Sequence, residues 1–177
     1  MDSLYTRYAG ALISLAMEDN DLEGYRSDIK DLRQAIKENE GILDVLSSAF
    51  IEFDEKERII DNFYPGRVNI RNFLKIVVRN NRSRYLIKIL NEFIEECNEY
   101  LNIKDGTIYS VRKLDEKEIE RVEKGIEKRL SCRVELVNVI DERLIGGIKV
   151  IVDDKIFDGS IKNKVEKLKD SLVKGGA

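Results

Sequence analysis

Apolar residues recur every three to four positions through the first hundred residues or so, the period of helices that bury one side. A first helix is predicted over 3–17. A second starts near Asp21 and carries Leu22, Tyr25, Ile29, Leu32 and Ile36 on one stripe. A short third segment covers 42–50. Asp54 and Glu57 have the spacing of a capping box for a fourth helix, which should end near Tyr64-Pro65-Gly66. A fifth is expected over 70–79 and a sixth over 83–101, with Leu86, Leu90, Phe93, Cys97 and Leu101 as its stripe. The short connections favour antiparallel neighbours.

The period changes at Lys104-Asp105-Gly106. A strand is predicted over 107–111, a helix over 116–130 and a strand over 133–140. The helix start is doubly specified. Asp115 and Glu118 can form a capping box, and Leu114 and Ile119 occupy the positions of a hydrophobic staple. After Gly146-Gly147, Ile148, Val150 and Val152 alternate with Lys149, Ile151 and Asp153, a strand with one strongly apolar side. The glycine pair suits a place where side chains would obstruct the backbone. Asp158-Gly159 is a turn dipeptide. Ser160 can cap a last helix whose Ile161, Val165, Leu168 and Leu172 share one side. The expected fold is therefore mostly α: a six-helix antiparallel bundle over 1–104, then a small α+β domain, β-α-β-β-α, over 105–177.

Composition narrows the chemistry. The 177 residues are 42% hydrophobic and 37% charged, with one proline and a net charge of −3. That is a well-solvated globular chain without a large basic field for nucleic acid or anionic lipid. Histidine is absent, which removes a Cys/His zinc site and the commonest acid–base catalyst. No Walker-type glycine loop is present. Cys97 and Cys132 form no CxxC pair; Cys97 falls on an apolar stripe and reads as a small buried hydrophobe. Two isolated thiols suit a reducing cytoplasm. No apolar run approaches the ~20 residues that cross a bilayer, and the N-terminus has neither a secretory nor an Arg-rich import pattern. Asp153, Asp154 and Asp158 could suggest a cation site, but a hairpin turn explains them better. Arg79-Asn-Asn-Arg-Ser-Arg-Tyr85 could hold phosphate and stack a base; a solvated helix junction fits an acidic chain better.

Two helices are wider in apolar surface than a bundle needs. Apolar residues of helix one, including Tyr8, Ala11, Leu12 and Leu15, spread over roughly 240°, against ~100° for an ordinary surface helix. In helix five, Ile70, Phe73, Leu74, Ile76, Val77 and Val78 cover roughly 200°. Either both helices are central, or the surplus forms a groove for a partner's amphipathic helix. Periodicity alone favours the first reading.

The C-terminal string Leu144-Ile145-Gly146-Gly147-Ile148, an alternating strand, then Ile156-Phe157-Asp158-Gly159-Ser160 before a last helix, resembles the signature of delta subunits of bacterial rotary ATP synthases, relatives of the mitochondrial oligomycin-sensitivity-conferring protein. Tyr8-Ala9-Gly10-Ala11-Leu12, and Asn72-Phe73-Leu74 through Asn80 and Arg82, resemble the family's N-terminal motifs. The resemblance implies a non-catalytic stator subunit with no cofactor, of a proton- or sodium-translocating enzyme, at the cytoplasmic face of a bacterial membrane and not inserted into it. It implies that the bundle receives the N-terminal helix of an alpha subunit between its first and fifth helices. The candidates there are Tyr8, Ala11, Leu12, Leu15, Phe73, Ile76, Val77 and Asn80. The second domain would hold the C-terminus of a b-type peripheral stalk. Gly146, Gly147, Asp158, Gly159 and Ser160 are expected to be structural. The competing classes are a helical adaptor unrelated to ATP synthase and an RNA-associated protein.

Overall fold

The computed structural model describes residues 3–174, with the side chains of the last helix described at 161–167 and 169. The chain divides into two compact units, one ending at Leu101 and the other beginning at Asn102. The first contains α1 (Leu4–Glu18), α2 (Leu22–Glu38), α3 (Gly41–Ser47), α4 (Phe53–Phe63), α5 (Val68–Arg79) and α6 (Leu86–Leu101), with a 3-10 turn at Ser83–Tyr85 leading into α6. The second contains β1 (Ile103–Ser110), α7 (Glu116–Leu130), β2 (Arg133–Ile140), β3 (Ile148–Val152), β4 (Lys155–Asp158) and α8 (Ile161–Lys174).

In the first unit α6 is the central rod. Leu86, Ile89, Leu90, Phe93, Ile94 and Cys97 are all buried, and α1 and α2 both pack along it. Burial pushes the Cys97 thiol up to about 12, so it behaves as a hydrophobe rather than a nucleophile. Local chemistry fixes the helix starts. Ser3 accepts the Thr6 N–H at 3.2 Å, and Asp21 accepts the Gly24 N–H at 3.0 Å. Arg67 clamps the entry to α5 by donating to Asp21 at 2.6 Å and Asp28 at 2.5 Å while lying 4.8 Å over the Tyr25 ring.

The expected Asp54–Glu57 capping box does not form. α4 begins at Phe53 with Glu52 in the cap position and no side-chain cap bond. Packing overrides the cap: the early start places Phe53 against the core, with the Arg79 guanidinium 5.2 Å from its ring. The stretch expected to open the sixth helix at Ser83 is instead a 3-10 turn. Buried Ser83 donates there to the Leu46 carbonyl at 3.1 Å and ties the corner to α3.

In the second unit the sheet order is β2-β1-β3-β4. β1 and β2 are parallel, joined by the α7 crossover; β1–β3 and β3–β4 are antiparallel. The strand count expected from sequence is one short. Lys155–Asp158 forms a fourth strand around the Asp153-Asp154 turn, so the order is β-α-β-β-β-α. Four residues are too few for alternation to show. β1 also begins at Ile103, four positions before the expected start, and runs through Gly106. A Cβ at Gly106 would lie 2.8 Å from the Ile151 carbonyl oxygen, so the glycine permits close strand approach rather than ending a helix. The capping box on α7 forms in full, with Asp115 accepting from Glu118 N–H at 2.8 Å and Glu118 accepting from Asp115 N–H at 3.1 Å. On the far side of α7, Glu127 and Glu123 accept the N–H groups of Val134 (3.1 Å) and Leu136 (2.8 Å) on the edge strand β2.

Candidate partner-docking seam

α1 and α5 lie side by side and antiparallel. At one end Asn80 Nδ2 donates to the Tyr8 hydroxyl at 3.0 Å, and the Tyr8 and Phe73 rings meet edge to face with centroids 6.2 Å apart. At the other end Asn69 Nδ2 donates to Asp19 and to the Tyr25 hydroxyl, each at 3.0 Å. The Tyr25 hydroxyl also donates to Asp19, and burial, reinforced by that carboxylate, raises its pKa. Both ends of the seam are thus pinned by amide–hydroxyl bonds, and its middle is apolar.

The eight residues expected to line this place divide into two groups. Leu12 and Val77 are 0% exposed and Phe73 is 5% exposed; they belong to the bundle's own core and form the floor. Ala11, Ile76 and Asn80 are exposed, and Tyr8 and Leu15 are half-buried; they form the lips. Ile76 is the apolar outlier, 54% exposed at the middle of α5. The small residues also divide. Ala9 and Ala16 are fully buried and let α1 approach its neighbours closely, whereas Ala11 faces solvent. Sequence reasoning missed Asn69 and Val68. Val68 is 58% exposed, and with Asn72 and Ile76 it forms an i, i+4, i+8 row along the open side of α5. That spacing was readable, but it begins before the predicted helix start.

The glycine signature has a different job. Gly147 sits at φ +80°, and a Cβ there would lie 2.6 Å from the Gly159 carbonyl oxygen and 2.9 Å from the Ser160 Cα. A Cβ at Gly146 would meet the tip of Ile161 at 2.6 Å. Asp158 accepts the Ser160 N–H at 2.9 Å, and Ser160 Oγ accepts the Asn163 N–H at 3.2 Å as the cap of α8. These five residues lock the β2–β3 loop against the start of α8. Three residues of the Arg79–Tyr85 run make internal contacts: Arg79 lies over Phe53, Ser83 bonds α3, and the Tyr85 ring lies 5.9 Å from that of Tyr5. Among the described residues no group of His, Cys, Asp or Glu is arranged to hold a metal ion. No described helix is long and apolar enough to cross a membrane.

Fold and seam together give the outline of a scaffold-type protein: a helical bundle with apolar residues left exposed along the line where two of its rods meet, followed by a small glycine-locked sheet unit. A family model described as ATP synthase delta (OSCP) subunit matches residues 4–172, and the chain belongs to that family. Curated relatives agree in length as well as name. The chain is 40% identical over 168 residues to the ATP synthase subunit delta of Mycoplasma mobile, covering 94% of this chain and 93% of the relative. It is 33% identical over 175 residues to that of Metamycoplasma arthritidis, covering 98% of each. The subunit of Bacillus cytotoxicus is 32% identical over 170 residues. Among solved structures, a chain of the Toxoplasma gondii mitochondrial ATP synthase hexamer superposes with a TM-score of 0.64 over 97% of this chain and 98% of its own, at 17% identity, a likeness of fold. The protein is a structural subunit of an ATP synthase complex.

Proposed function

We propose that this subunit is a non-catalytic stator part that holds the catalytic head still against rotor torque. The first unit takes the N-terminal helix of an alpha subunit into the α1–α5 seam. The second unit holds the C-terminus of a b-type peripheral stalk. The complex to which it belongs lies at the cytoplasmic face of a bacterial membrane, where the subunit is peripheral and makes no insertion of its own.

The observation that carries this reading is the division of the seam into a buried floor and an open apolar lip. A bundle that needed α1 and α5 only for its own core would cover Ile76, Val68 and Leu15 more fully. Instead Leu12, Phe73 and Val77 give a rigid base, and the exposed residues above it have the spacing of anchors for a helix laid between two rods. Torque resistance asks for a tight grip without chemistry. A partner interface of standard size, on the order of 1,600 Å², supplies it when a few anchors are well packed.

The test is a titration of the full chain with a peptide from the N-terminus of the cognate alpha subunit, followed by amide chemical shifts. The expected result is a set of shifts along residues 8–15 and 68–80. A folded protein whose shifts stay put, or move only elsewhere, removes the seam as the alpha site.

A further inference from the structure

Single exposed apolar side chains are ordinary on a protein surface. Phe50 is set apart by how it is held. It is 99% exposed, more than any other large apolar residue among those described. It stands in the connection between α3 and α4, and that connection is braced. The Phe50 N–H donates to Ser48 Oγ at 3.2 Å, and the Ser48 N–H donates to the Val45 carbonyl at 3.2 Å. Lys56, only 7% exposed, reaches back from α4 and donates to the Ser48 carbonyl at 2.6 Å. Withdrawing an ammonium from water is costly. Here it fixes a loop whose aromatic tip is left in solvent. A ring with few rotamers on a fixed loop loses little entropy when a partner covers it.

Position is the second observation. The loop lies at the Tyr8–Asn80 end of the seam. Phe53, the first residue of α4, has the Arg79 guanidinium 5.2 Å from its ring, and Arg79 adjoins Asn80. Ser83, just beyond α5, bonds the Leu46 carbonyl near the end of α3. α5 therefore borders the seam along its length and the braced loop at its C-terminal end.

Charge is the third. Residues 44–55 carry Asp44, Glu52, Asp54 and Glu55, all exposed, and no lysine or arginine. The ring is thus surrounded by carboxylates, and the surface that matches it is apolar at the centre and basic at the rim.

A single helix laid in the seam leaves the bundle free to swivel about that helix. Resisting torque takes a second, separate hold. We propose that Phe50 is that hold: it enters an apolar, basic-rimmed pocket on the folded surface of the catalytic head, beside the place where the alpha-subunit helix reaches the seam. The inference rests on the stator reading above and adds a contact to it. The second contact can be weak by itself, because the first keeps it at high effective concentration.

The test compares two ligands of the full chain: the cognate catalytic head purified without this subunit, and the alpha peptide, which offers the seam ligand alone. The head should bind about tenfold or more tighter than the peptide. Phe50→Ala should weaken the head about tenfold and leave the peptide unchanged. Phe50→Leu, which keeps apolar bulk, should lose less. Glu52→Lys should weaken the head several-fold at low salt and less at high salt. If folded Phe50→Ala binds the head as wild type does, there is no second hold at this loop, while the stator reading stands. Equal losses for head and peptide would put Phe50 in the seam and equally overturn the inference. A Glu52→Lys variant with wild-type affinity for the head at low salt would overturn the basic rim. If the wild-type chain binds neither ligand, the stator reading falls and the second hold with it.

Discussion

Replacing Ile76 by aspartate sets the lip of the seam against its floor. Full burial of an isoleucine side chain is worth roughly 1.5–3 kcal/mol. Ile76 is 54% exposed, so covering it with an alpha-subunit helix should gain about half of that, on the order of 1 kcal/mol. Ile76→Ala should therefore weaken the alpha peptide about fivefold. Ile76→Asp should do far more, because docking would strip water from an unpaired carboxylate at a cost of several kcal/mol; a loss of about a hundredfold or more is expected. Neither change should alter folding stability by more than about 0.5 kcal/mol, since the position faces solvent in the free chain. Leu12→Ala is the contrast. Leu12 is 0% exposed, and its truncation should destabilise the bundle by about 2–5 kcal/mol. Calorimetric titration gives the affinities and denaturant melts give the stabilities. An Ile76→Asp variant that melts as wild type and binds the alpha peptide at wild-type strength would refute the division into lip and floor.

Four further outcomes are expected. Gly147→Ala forces a side chain into a φ of +80° and against Gly159 and Ser160, and should lower the stability of the second unit by about 2–3 kcal/mol; Gly146→Ala, which meets only the tip of Ile161, should cost less, and denaturant melts that reverse the order would contradict the packing. The bond with Arg112, then that with the Asp115 N–H, holds Glu118 at about 2 against an ordinary 4.5; its folded pKa is depressed, so its contribution is full above pH 4.5 and is lost as pH falls toward 2. Glu118→Gln should flatten that part of a stability–pH profile, and a profile with unchanged slope would show that the cap carries no such dependence. Cys97 should resist a thiol reagent at pH 8 in the native state and react on unfolding; fast native labelling at this position would contradict its burial. Residues 1–101 made alone should fold, because their core closes within the unit; a fragment without dispersed amide shifts would overturn that.

The parts of the fold that were legible were those where several local signals agreed. At α7 a capping box, a staple and a helical period coincide, and the boundaries 116–130 are those observed. The bounds expected for β2, 133–140, are also those observed. The misses share a cause: packing at a distance decided a local matter. Asp54 and Glu57 spell a cap, yet Phe53 gains more by joining the helix and the core. Gly106 reads as a break until β3 is seen to press against it. Ile156 and Phe157 are adjacent apolar residues with no period, and only pairing with β3 makes them a strand. At the seam, apolar width told that α1 and α5 were special but not which residues were covered. Leu12 and Ala11 are neighbours in sequence, and whether each is floor or lip depends on α6 and α5, which no window along the chain contains.

The two carboxylates of α7 that reach the edge of the sheet have an effect beyond this unit. A peptide border with unoccupied N–H groups is a template on which stray chains polymerise. Glu123 and Glu127 occupy two of those groups on β2 from within the same molecule, like stoppers in sockets. A second copy is thereby denied two of the bonds it would need to extend the sheet at β2. Neutralising both acids should reopen that border to pairing even where the folded shape is untouched.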